Sequence, residues 1–153
     1  VNIVGFKKRV SMQFEGVNNE IEELANSITS DQNKQMHYLQ NIGPNEFINV
    51  SYNVDEDFTK EEGFLTHMIG VLTTENNISN QFDVINIDES KWVVFENEGE
   101  FPKVLQDTYA KIFSEWLPKT EYNLADIPIF SFSKFNDSNR ETAYSEIWIA
   151  VNH

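Results

Sequence analysis

Three side chains near the end of the sequence alternate along a predicted β-strand and combine one acid with two aromatic rings. Tyr144, Glu146 and Trp148 occupy every second position in the run TAYSEIWIAV, residues 142–151, and side chains two residues apart in a strand point to the same side. A strand glutamate usually faces water, but the apolar neighbours of Glu146 favour burial, and a buried carboxylate needs a partner. We therefore consider Glu146 a candidate ligand-binding residue whose partner is a cation, with Trp148 and Tyr144 beside it.

Three further residues are weaker candidates for ligand binding. Trp116 ends a predicted amphipathic helix, where it either packs in the core or forms a pocket wall. Tyr52 lies on an earlier strand whose other face carries Phe47, and we expect Tyr52 to be on the ligand side. His67 interrupts an apolar strand. It is either a hydrogen-bonded strand histidine or a ligand contact, and in the second case binding depends on pH near the ordinary histidine pKa of about 6.5.

The composition excludes several kinds of site. The chain has no Cys, and its three His residues are far apart, so we expect no metal, no disulfide and no cofactor. With 25 acidic and 11 basic residues and a net charge of −14, it lacks the cations that nucleic acids and anionic membranes require. The charge favours solubility first and cationic ligands second. The acidic segment 55–62 lacks the spacing of a calcium loop and is predicted to be a solvated turn.

The sequence contains no run of 18 apolar residues and no signal peptide pattern, so a cytoplasmic location is expected. It opens directly on a strand, which we interpret as a sign that the sequence was either trimmed or cut from a longer protein.

Hydrophobic periodicity predicts the elements that must position these residues. Apolar residues at helical spacing predict helices at 17–30 and 102–117, the second beginning at Pro102. The polar segment 31–45 is predicted to be irregular. The predicted strands lie at 1–13, 46–54, 64–74, 92–95, 127–135 and 142–151.

The order of these elements repeats. Residues 1–78 and 79–153 each read as strand, helix, strand, strand. The prediction is one α+β domain over residues 1–153, made of two pseudo-symmetric β-α-β-β halves that form an antiparallel sheet with two main helices on one face. A ligand groove is expected between the halves, and the repeat aligns His67 with Glu146.

Several motifs resemble one known family. They are the run Trp92–Phe95 with the following Glu98-Gly99, the helix end IFSEWLP at 112–118, the closing run YSEIWIAV at 144–151, and the segments Ile3–Phe6 and Ile69–Val71. Together they resemble the GyrI-like small-molecule-binding family, which also provides the effector-binding domain of AraC-type and some multidrug-sensing MerR-type regulators. The resemblance implies a curved antiparallel sheet and a central aromatic pocket, in which a glutamate on the last strand receives lipophilic cations. Glu146 matches that glutamate, whereas Ala150 departs from a proline that is frequent in the family.

The residues and the resemblance together predict a module that binds hydrophobic, cationic small molecules. Its predicted ligand-binding residues are Glu146, Trp148, Trp116, Tyr144, Tyr52 and His67. Any DNA contact is expected to come from a separate domain of a longer regulator. Two alternatives stay open: a small-molecule hydrolase with Glu146 as general base, assisted by Tyr144 or His67, and an acidic protein-binding module like a gyrase inhibitor.

Overall fold

A computed structural model describes residues 1–11, 18–44, 46–53 and 63–152. Within these ranges the chain forms eight β-strands and three α-helices. It divides into two compact units, the first ending at Glu89 and the second beginning at Ser90. The predicted α+β class is confirmed, while the acidic turn predicted at 55–62 lies outside the described residues.

The first unit is a four-stranded antiparallel arrangement with two helices. Its elements are β1 (Asn2–Ser11), α1 (Asn19–Ser27), α2 (Ser30–Leu39), β2 (Ile48–Tyr52), β3 (Phe64–Thr73) and β4 (Asp83–Asn86). The strand order is β4-β1-β3-β2. Because β4 pairs with β1, the unit extends beyond residue 78, where the sequence analysis placed the end of the first half.

Helix α2 occupies part of the segment that was predicted to be irregular, and that prediction is wrong. A capping box starts the helix: the Thr29 hydroxyl accepts from the Gln32 amide at 3.1 Å, and the Gln32 side chain accepts from the Thr29 amide at 2.9 Å. Met36 is the buried residue of α2, so hydrophobic periodicity gave little sign of the helix. The described residues therefore contain three α-helices, not the two main helices expected.

The second unit repeats the order of the first. Its elements are β5 (Lys91–Glu100), α3 (Lys103–Lys111), a π-helical turn (Ile112–Trp116), β6 (Asn123–Leu124), β7 (Ile129–Phe135) and β8 (Thr142–Asn152). The strand order is β5-β8-β7, with β6 pairing one end of β8. This order corresponds to β1-β3-β2 in the first unit, so the predicted β-α-β-β repeat is confirmed.

Each unit buries one face of its strands beneath its own helices. In the first unit the buried cluster joins Val4 and Val71 from strands with Ile28, Met36 and Phe82. In the second unit the cluster is made of Ile112, Ile147, Ile149 and Val151. Among the described residues, the opposite faces of the strands therefore carry no helix of their own unit.

The predicted alignment of His67 with Glu146 is wrong by one residue. His67 alternates in β3 with Ile69 and Val71, which pack against the helical side of the first unit. In β8 it is Ile147, next to Glu146, that packs on the helical side. Since a shift of one residue moves a strand side chain to the other face, His67 and Glu146 are not equivalent.

No helix in the described ranges is long and apolar enough to cross a membrane.

Candidate functional site

The two faces of β8 differ in chemistry. Ala143, Ser145, Ile147 and Ile149 are buried on the side that faces α3. Tyr144, Glu146 and Trp148 alternate with them and are each partly buried. We call this second side the Glu146 face. The three residues that the sequence analysis placed together therefore do share one side of a strand.

The carboxylate of Glu146 is held by its two neighbours along the strand. The Tyr144 hydroxyl donates to Oε2 at 2.5 Å, and the Trp148 indole Nε1–H donates to Oε1 at 3.0 Å. A carboxylate has about four acceptor positions, so both oxygens can accept further donors. No salt bridge to Glu146 is found in the part of the chain that the structure describes.

Tyr144 is fixed as a hydrogen-bond donor. Its pKa lies well above the ordinary value of 10, chiefly because its hydroxyl donates to Glu146, then because of burial, with a smaller contribution from Glu96. The phenol therefore stays protonated at neutral pH and keeps the Glu146 carboxylate in place.

An aromatic cluster extends from Trp148 across the neighbouring strands. The Trp148 ring stacks on Phe130 of β7, with ring centroids 5.5 Å apart and planes at 17°. Trp92 of β5 contacts both rings, at 6.1 Å from Trp148 and 5.2 Å from Phe130. Phe132 lies 6.5 Å from Tyr144. Phe130 and Phe132 are buried, whereas Trp92, Trp148 and Tyr144 are partly exposed, so these three rings are the accessible part of the cluster next to the carboxylate.

Sequence reasoning did not name Trp92 or Phe130 as site residues. Phe130 pairs with Trp148 across β7 and β8, and Trp92 pairs with Ala150 across β5 and β8. Their membership of the face depends on these registers. The alternation of side chains within each strand was the only local signal for these residues. It shows which residues of a strand share a side, but it does not show which strand is the neighbour.

Two charged residues of the neighbouring strands pair with residues of the Glu146 face. Glu96 of β5 pairs directly with Glu146, and Lys134 of β7 pairs with Tyr144. Paired residues in antiparallel strands project to the same side. Both Glu96 and Lys134 are exposed, so the Glu146 face has a charged rim around its aromatic part.

The structure does not bring Trp116 together with Glu146. Trp116 packs edge-on against Phe95, with ring centroids 5.0 Å apart, and Phe95 pairs with Ile147. Trp116 therefore lies on the α3 side of the strands. There it borders an open cavity of about 580 Å³ that Lys111 and Lys119 also line.

The first unit holds the other two candidates on opposite faces. His67 is buried, with Nε2 at 2.9 Å from Asn49 Oδ1 and Nδ1 at 3.3 Å from Ser51 Oγ. Burial lowers its pKa to about 4. Tyr52 pairs with Thr66 and so lies on the face away from the helices, where burial raises the pKa of its phenol. A ligand groove between the units stays a prediction.

An α+β fold whose last strand presents a carboxylate among aromatic rings has the features of a domain that binds small molecules. A model of the GyrI-like small molecule binding domain matches residues 1–152. The chain belongs to the GyrI-like small molecule binding domain family.

Solved structures agree with this fold. The protein SAV2435, solved bound to tetraphenylphosphonium, is similar with a TM-score of 0.66 and 21% identity, over 99% of this chain and 88% of that one. A candidate bacterial transcription regulation protein from Staphylococcus aureus MU50 is similar with a TM-score of 0.63 and 20% identity, over 99% and 92%. An integron cassette protein of Vibrio cholerae has a TM-score of 0.51 and 18% identity, over 99% and 90%. No curated protein matches the chain.

Proposed function

We propose that this chain binds lipophilic aromatic cations on the Glu146 face, with Glu146 as the counter-ion. The observation that carries the proposal is the carboxylate itself. It is partly buried among aromatic rings, both of its oxygens are oriented by fixed donors, and it has no salt bridge among the described residues. A carboxylate that is partly shielded from water in this way is stabilised most by a cation that also has apolar surface.

The rings beside Glu146 suit the same ligand. Indole and phenol faces attract cations with about 0.5–2 kcal/mol, depending on desolvation. The partly exposed rings of Trp148 and Trp92 can pack against an aromatic ligand, and the buried ring of Phe130 holds both in place from behind. The neighbour SAV2435 was solved with a lipophilic cation of this kind, which supports the choice of ligand class. The net charge of −14 also attracts cations over a longer range.

A role in transcription regulation is a further part of the proposal. It is supported by the neighbour from Staphylococcus aureus that is named as a candidate regulator. The chain would supply the effector-binding function, and its ligand would shift the state of an attached DNA-binding domain.

The test compares two ions of the same shape and opposite charge. Tetraphenylphosphonium and tetraphenylborate are titrated into the protein by isothermal calorimetry. We expect the cation to bind and the anion not to bind. Glu146→Gln should weaken cation binding about tenfold, or roughly 1.4 kcal/mol.

Glu115→Gln is the matched control. It removes the same charge from the same unit at an exposed position beside the cavity on the α3 side, and it should leave the affinity within about twofold of wild type. Equal binding of the two ions, or equal effects of the two variants, would contradict the proposal. If only Glu115→Gln lost affinity for the cation, the binding site would instead be the cavity next to Trp116.

A further inference from the structure

The strand β5 carries a row of acids on the Glu146 face. Glu96, Glu98 and Glu100 occupy alternate positions, all are exposed, and they pair with Glu146, Tyr144 and Thr142 respectively. β5 is the terminal strand of its unit, so this row forms one rim of the aromatic surface. Among the three acids, only Glu96 is directly opposite Glu146.

The pairing of Glu96 with Glu146 sets two negative charges side by side. Like charges directly opposite each other on antiparallel strands are destabilising. The Tyr144 hydroxyl donates its proton to Glu146, and the nearby Glu96 carboxylate adds a smaller contribution to the raised pKa of Tyr144. Lys134 is in register with Tyr144, not with either acid, and it forms no salt bridge with Glu96 or Glu146 within the described ranges.

We propose that Glu96 is a second counter-ion of the site and that the preferred ligands are aromatic dications. This inference rests on the proposed function, because it assigns a ligand class to the same face. A single positive charge can neutralise Glu146 but leaves Glu96 beside it. A ligand with two positive centres on one aromatic core neutralises both acids while its rings pack on the Trp148 cluster.

Two biaryl ions of nearly equal size isolate the effect of the second charge. 1,1′-Dimethyl-4,4′-bipyridinium is a dication, and 1-methyl-4-phenylpyridinium is the matching monocation. Both are titrated calorimetrically into wild type at low and at physiological salt. We expect the dication to bind more tightly, with a preference that falls as salt screens the exposed acid.

Glu96→Gln should weaken dication binding about three- to fivefold, since Glu96 is exposed and such ion pairs are worth at most about 1 kcal/mol. Its effect on the monocation should stay within about twofold. The same variant should raise the Tm of the free protein by about 1–2 °C, because the repulsion between the paired acids is removed. A gain in stability together with a selective loss of affinity cannot come from misfolding.

Glu100→Gln is the control, with the same charge change on the same strand and face but opposite Thr142. The inference is overturned if Glu96→Gln and Glu100→Gln alter the preference for the dication equally, or if neither alters it. If tetraphenylphosphonium still binds in a Glu146-dependent manner in that case, the proposed function stands and the second counter-ion alone is refuted. If wild type binds none of these cations, both are refuted.

Discussion

At the scale of single residues, neighbours along β5 lie on opposite faces of the strand and have different surroundings. Asn97 of β5 pairs with Ser145 and lies on the α3 side. Both polar atoms of its side chain are buried, and neither has a hydrogen-bond partner among the described residues. A buried polar group without a partner costs about 1–3 kcal/mol. We therefore expect Asn97 to reduce stability, whereas Glu96, its neighbour in sequence, lies on the face that we propose binds the ligand.

Replacement of Asn97 by Leu, which has nearly the same shape, should raise the free energy of unfolding by about 1 kcal/mol or more, because the unsatisfied amide is removed without leaving a cavity. Urea denaturation monitored by tryptophan fluorescence measures the change. Asn123→Leu at an exposed position of β6 is the control and should stay within about 0.5 kcal/mol of wild type. A clear loss of stability in Asn97→Leu would mean that the amide is satisfied.

At the scale of elements, two glycines allow β1 and β3 to approach each other closely. Gly5 of β1 pairs directly with Gly70 of β3. A Cβ atom on Gly5 would lie 2.0 Å from the Ile69 carbonyl oxygen, and one on Gly70 would lie 2.3 Å from the Val4 carbonyl oxygen. The backbones of β1 and β3 approach so closely that neither position accommodates a side chain.

Gly70→Ala should therefore destabilise the chain by about 3 kcal/mol or more, since the contact is with backbone that cannot move aside. Thermal unfolding followed by circular dichroism measures the loss. Gly43→Ala is the matched control, because no atom of the described residues lies within 4 Å of the added methyl group, and its Tm should be close to that of wild type. Equal Tm values for the two variants would show that β1 and β3 can separate at this point.

How far the sequence predicts the elements depends on the signal each one carries. Strong periodicity in 102–117 predicted α3 and the turn that follows it, and alternation predicted β8 and the shared side of Tyr144, Glu146 and Trp148. Helix α2 was missed because its signal is a capping box and not an apolar stripe. Glu96 and Phe130 were missed because they join the face through cross-strand register, which depends on distant parts of the chain.

For the whole molecule, charge affects folding and binding differently. The net charge of −14 draws cations toward the chain but also makes the compact state repel itself. An acidic group and His67 both contribute to the pH dependence of stability. The pKa of Glu20 is lowered, chiefly because its carboxylate accepts hydrogen bonds from Ser11, so protonating it at low pH costs stability. His67 adds a separate contribution, which a variant can isolate.

His67 is neutral in the folded state, and its geometry fits Nε2–H donating to Asn49 and the Ser51 hydroxyl donating to Nδ1. Burial lowers its pKa from 6.5 to about 4. The unfolded chain therefore binds more protons between these two values. The stability due to His67 is complete above pH 6.5 and falls as the pH drops toward 4.

Relative to His67→Gln, which does not titrate in this range, wild type should lose about 2 kcal/mol of unfolding free energy between pH 7.5 and pH 5. Urea denaturation at the two pH values measures the change in unfolding free energy for each protein. Subtracting the change in the variant from the change in wild type removes the contribution of the carboxylates, which both proteins share. His37→Gln changes an exposed histidine of α2 and should retain the pH dependence of wild type. If His67→Gln also retains the pH dependence of wild type, the His67 imidazole is protonated as easily in the folded as in the unfolded chain. His67 would then again be a candidate ligand contact.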